Sequence, residues 1–75
     1  MQKISIMKKL LKTYGLNSDM QYYQMIADSY INDQKTQALQ QFKELPKSNK
    51  KDVIKTMLTR WQGMEKLGLF LLDAI

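Results

Sequence analysis

Within residues 47–60 the stretch KSNKKDVIKTMLTR carries Lys47, Lys50, Lys51, Lys55 and Arg60 against one acid, Asp52. Side chains of this type bind a phosphate backbone or a smaller anion when they converge, and otherwise keep a helix face in water. On a helix, Lys51, Lys55, Thr59 and Gln62 share an outward face. That is the form of a DNA-binding helix-turn-helix, with Leu39–Leu58 as its two helices. The turn PKSN lacks the usual glycine, however. Lysine outnumbers arginine eleven to one, and arginine is the side chain that reads guanine edges and phosphates through a planar fork. Lys50 and Lys51 are also expected in the first turn of a helix, where the macrodipole disfavours cations and a bound anion would offset the cost. Solvation is the commoner role of such a face. Nucleic-acid or anion binding through Lys47, Lys50, Lys51, Lys55 and Arg60 is therefore the alternative expectation.

A second constellation is apolar. Met20, Tyr22, Tyr23, Met25 and Tyr30 make one segment rich in tyrosine and methionine. Tyrosine buries a ring while its hydroxyl pairs, and methionine adapts to irregular surfaces, both useful in a contact patch. Tyr22 and Tyr23 point about 100° apart on a helix, so one core is expected to bury only one of them. The chain then closes on GLFLLDAI, residues 68–75. As a helix this tail puts Leu67, Leu71, Ala74 and Ile75 on one face, and Leu69, Leu72 and part of Phe70 on another. A fully buried Leu or Phe is worth ~1.5–3 kcal/mol, so a second face this apolar seeks cover. Met20, Tyr22, Tyr23, Phe70 and Leu72 are the expected contacts to a partner protein or to a second copy of the chain.

Catalysis finds no such support. Histidine and cysteine are absent, which removes the usual general base, the thiolate nucleophile and the nitrogen or sulfur ligands of zinc. Asp28 and Asp33 fall across an expected helix break and do not make a facing carboxylate pair. No glycine-rich loop could cradle a nucleotide. No catalytic, metal or cofactor residue is assigned.

The elements that position these residues read as helices. Ile4, Met7, Leu10, Leu11 and Tyr14 recur at helical spacing with Lys8, Lys9 and Lys12 between them, and Gly15 with Leu16 supplies a Schellman ending. Such a helix also suits a membrane surface, but it lacks an interfacial tryptophan or phenylalanine, and docking on the core is expected. Ser18 and Gln21 form a capping box that opens a helix over Asp19–Ile31. Asp33 is the expected N-cap of a third helix, whose face of Ala38, Leu39, Phe42 and Leu45 ends at Pro46. Ala38 and Phe42 have the Ala-x3-Phe spacing of tetratricopeptide helices, but no second copy of the period exists and an ordinary helical hairpin is expected. Ser48 or Asn49 is the expected cap of a fourth helix, with Val53, Ile54, Met57, Leu58 and Trp61 as its buried stripe. Gln62-Gly63 favours two helices over one within residues 49–75.

Strand signals are missing, so residues 1–75 are expected to form one all-α domain, a small bundle of four to five short helices. At 75 residues and a net charge of +5, such a domain buries little surface and depends on helix packing and association. Lysines interrupt any N-terminal apolar run, and no stretch approaches the ~20 apolar residues of a membrane span, so an intracellular, cytoplasmic protein is expected. The functional expectation is a non-enzymatic protein-binding module of adaptor or inhibitor type. Its partner is expected to be acidic, with a homodimer as one form of the docking. A compact cysteine-free chain of this kind suits a phage or mobile-element product.

Overall fold

Three of the helical segments stop at a residue in the left-handed region: Gly15, Asp33 and Gly63. The computed structural model describes residues 6–75, and the predicted turn of helix around Ile4 lies outside the described residues. Helix α1 (Ile6–Thr13) ends at Gly15, whose φ of 69° belongs to the left-handed region. The Leu16 N–H donates to Leu11 O at 2.7 Å and the Gly15 N–H to Lys12 O at 3.2 Å, which completes the expected Schellman ending. Helix α2 (Asp19–Ile31) opens on Ser18, whose hydroxyl accepts from the Gln21 N–H. The reciprocal arm of the capping box lands one residue early: Gln21 Oε1 takes the Asn17 N–H at 2.6 Å.

Asp33 corrects the sequence reading. It does not cap the third helix but closes the second, with φ 63°. The Gln34 N–H reaches Ser29 O at 2.8 Å and the Asp33 N–H reaches Tyr30 O at 3.1 Å, a second Schellman pattern with aspartate in the place glycine usually takes. Helix α3 (Lys35–Lys43) therefore starts behind Gln34 without a side-chain cap. Helix α4 (Lys47–Lys55) starts behind Pro46, not behind Ser48 or Asn49. Its first turn holds Lys47, Ser48 and Asn49, and the Lys50 N–H is already bonded to Pro46 O at 2.9 Å. Lys50 and Lys51 thus sit beyond the orphan amides where a bound anion was anticipated.

Helix α4 runs without a break into a π-helical turn, Thr56–Arg60, closed by the Trp61 N–H on Thr56 O at 3.0 Å. Gly63, at φ 85°, then reverses the chain into α5 (Glu65–Leu72), so the favoured reading of two helices holds. At the start of the π turn, Thr56 is fully buried and its hydroxyl has no partner, whereas Thr13 and Thr59 each donate to the carbonyl four residues back, at 2.8 and 2.7 Å. Helix α5 packs so closely on this turn that a Cβ at Gly68 would stand 2.8 Å from Leu58 Cγ. Gly68 is what lets the two backbones approach.

The core joins Met7 of α1, Tyr22, Tyr23, Ile26 and Ala27 of α2, Ala38 and Phe42 of α3, Val53 and Met57 of α4 and its π turn, and Leu67 and Leu71 of α5. Leu58 and Trp61, expected there, lie only half-buried at its edge. Contrary to the one-core argument, Tyr22 and Tyr23 are both 0 % exposed. Helix α2 lies between two partners, so adjacent side chains each find a different one. The Tyr22 hydroxyl donates to Gln41 O of α3 at 2.7 Å, with Tyr14 edge-on to its ring at 5.6 Å between centroids. The Tyr23 hydroxyl donates to Asp52 Oδ2 of α4 at 2.9 Å and accepts from Asn49 Nδ2 at 3.0 Å. Asn49 also donates to Asp19 Oδ2 at 3.0 Å, so its amide ties α4 to the start of α2 and caps neither. Among the described residues no strand occurs, and no helix is long and apolar enough to cross a membrane.

Candidate functional site

The tail separates into two faces, much as its spacing implied. Leu67, Gly68 and Leu71 turn inward, while Leu69 is 57 % and Leu72 50 % exposed. Two residues depart from the expected pattern. Phe70 turns toward α2 and packs on Tyr30, ring centroids 5.6 Å apart. Ile75 leaves the buried stripe because α5 ends at Leu72, and it stands 70 % exposed.

Leu72 and Ile75 form one wall of an apolar groove whose other wall is α4 with its π turn. Its first part, of about 310 Å³, is floored by Ile54 and Leu58 and edged by Lys51, Lys55 and Thr59. It continues past Lys51 and Ile75 into a second part of about 280 Å³, where Phe42 and Ala74 are overhung by Lys43, Lys47 and Lys50. Lysine stems extend apolar walls while their ammonium groups stay in water. No aspartate or glutamate lines either part. Asp52, the acid that interrupts the lysine run in sequence, is held away by the Tyr23 hydroxyl. Among the described residues, none of these five lysines forms an ion pair.

The residues singled out in the sequence are thus redistributed. Lys47, Lys50, Lys51 and Lys55 come together with Leu72, uniting two constellations that the sequence kept apart. Arg60 does not join them. It faces a different cleft, of about 440 Å³, with Trp61, Gln62, Met64 and Gln24. The helix ends at Arg60 and Gln62, beyond it, lines that cleft too, so the outward line Lys51, Lys55, Thr59, Gln62 of a recognition helix is broken after Thr59. Tyr22 and Tyr23 leave no ring for a partner, Phe70 is half-buried on Tyr30, and Met20, 40 % exposed, does not line the groove. Lys43, Ile54 and Ile75 were not anticipated. Lys43 and Lys47 are four apart, a spacing that signals proximity only when both are known to flank a turn as short as Glu44–Pro46.

A further concavity, wider and more open at about 680 Å³, lies against α2 and α3 and is lined mostly by amides, among them Gln21, Gln24, Gln37 and Gln41. Several of these are committed to the protein itself. Gln21 holds the Asn17 N–H, Gln24 donates to Asp28 at 3.0 Å, and Gln41 accepts from Ser29 at 3.0 Å. The five lysines of the apolar groove, by contrast, have no hydrogen-bond or ion-pair partner among the described residues. Compared with known proteins, the chain matches no family model, no curated protein and no solved structure.

Proposed function

We propose that the chain is a non-enzymatic protein-binding module that docks an apolar segment of a partner protein in the groove between α4 and α5. One observation carries this reading: Leu72 and Ile75, 50 and 70 % exposed, line the groove at and just beyond the end of α5, and Leu69, 57 % exposed, precedes them on the helix outside the groove. A domain this small has little apolar surface to spare, and leaving three large aliphatic side chains in water forgoes several times ~1 kcal/mol of burial. Such an apolar wall, edged by polar groups, is the usual form of a docking surface.

The test is photo-crosslinking from position 72, with position 31 as reference, since Ile31 is equally apolar and 60 % exposed but lies at the end of α2. A benzophenone side chain at 72 is expected to trap one defined polypeptide, identified by mass and re-formed from purified components. The same side chain at 31 should not trap it. Equal labelling from both positions, or a nuclease-sensitive adduct at 72, would overturn the reading. A trapped second copy of this chain would replace the partner with a homodimer.

A further inference from the structure

We infer that the occupant of the groove is an acidic amphipathic helix; this rests on the reading of the groove as a protein-docking site and adds the chemistry of the partner. The rim supplies Lys43, Lys47, Lys50, Lys51 and Lys55 without one lining acid. Lys47, Lys51 and Lys55 are four apart on α4, so like charges stand over one another and disfavour the free helix. Carboxylates arriving from outside relieve that repulsion. Asp52, the internal acid that could do so, is bound to Tyr23 at 2.9 Å.

The length fits a helix. Helix α4 and its π turn line the groove over residues 47–59, a wall of roughly 20 Å at ~1.5 Å per residue. A docked helix of about four turns spans it, with apolar anchors at i, i+3 or i+4, and i+7 on the floor of Ile54, Leu58 and Leu72, and carboxylates at the flanks. Other occupants fit less well. A second copy paired about a two-fold axis would bring lysines onto lysines. A nucleic-acid backbone would meet the lysines but would leave the apolar floor beneath its phosphates.

The experiment uses the full chain and two synthetic helical peptides of about 14 residues, identical in their leucine anchors and carrying either glutamate or lysine at the flanks. Amide shifts in NMR spectra locate binding and calorimetry measures it. The glutamate peptide is expected to bind and to shift Ile54, Leu58 and Leu72, and the lysine peptide is not. Its affinity should fall about tenfold or more in the Lys47→Glu/Lys51→Glu variant, whose helicity is checked separately, and fall again as salt is raised. Equal binding of both peptides would overturn the charge assignment and leave the docking reading intact. Failure of both peptides would also overturn the inference, and crosslinking from position 72 would then show whether docking fails with it. An oligonucleotide bound through the lysines, and still bound after Leu72→Ser, would overturn both.

Discussion

At the scale of single residues, the clearest departures from the sequence reading concern Asp33 and the tyrosine pair. Asp33 sits at φ 63° in a place where glycine is the unstrained choice. Asp33→Gly is therefore expected to stabilise the fold by about 0.5–1 kcal/mol, measured by urea denaturation. The sequence pointed to a helix boundary here but not to its direction, because aspartate serves both as an N-cap and as a left-handed residue. Tyr22 and Tyr23 misled for a different reason. Their angular separation was read correctly, but whether one core or two neighbouring helices receive them is a property of the assembled bundle. Burial, together with the Asp52 and Asp19 carboxylates, outweighs the opposing Asn49 bond and pushes the Tyr23 hydroxyl up to about 12; burial and Glu44 raise Tyr22 further. Between pH 10 and 12 the unfolded chain loses phenolic protons that the native state keeps, so this contribution, complete below pH 10, falls away as pH rises. The urea midpoint should drop over that window, and the drop should be shallower in Tyr23→Phe than in the parent.

At the scale of elements, the breaks and the first caps were legible, whereas the caps of α3 and α4 and the type of the last turn of α4 were not. Gly15, Ser18 and Gly63 act where their chemistry predicts, since each needs only its own backbone conformation or a neighbour within a few residues. The π turn leaves no comparable mark in TMLTR; what packs on it is α5 at Gly68, ten residues from Leu58, a contact that no local spacing announces. At the start of that turn the Thr56 hydroxyl is buried without a partner. Thr56→Val keeps the shape and removes the unpaired group, so it is expected to stabilise the protein by about 1 kcal/mol in thermal or urea unfolding. A large loss of stability would mean that the hydroxyl holds a hydrogen bond in solution.

At the scale of the whole molecule, the groove could not have been assembled from sequence. Its walls come from three helices, and Phe42, Ile54 and Ile75 meet only because α3, α4 and the end of α5 converge. The sequence held both ingredients, the lysine run and the apolar tail, but offered them as rival explanations, whereas the fold makes them one surface. That surface is bought with repulsion. Lys51→Glu converts two like-charge pairs, with Lys47 and Lys55, into attractive ones, and is expected to raise stability by about 1 kcal/mol while weakening the acidic helix peptide. Unfolding curves and peptide titrations on the same variant would show the two effects moving in opposite directions. A variant that lost stability along with binding would assign Lys51 to the fold and not to the partner.

The π turn at Thr56–Arg60 can also be considered as heredity. A turn that bonds five residues back, where an α-helix bonds four, holds one residue more than the regular helix would need. In a gene that residue is a single codon, gained or lost in one event. Its loss would tighten the turn and swing Thr59 away from the lysines, while α1 to α3 upstream and Thr56, whose N–H already bonds Asp52 O, keep their register. Length changes of one codon are therefore expected to be tolerated by the fold here sooner than within α2 or α3, and to be felt first in what the groove can hold.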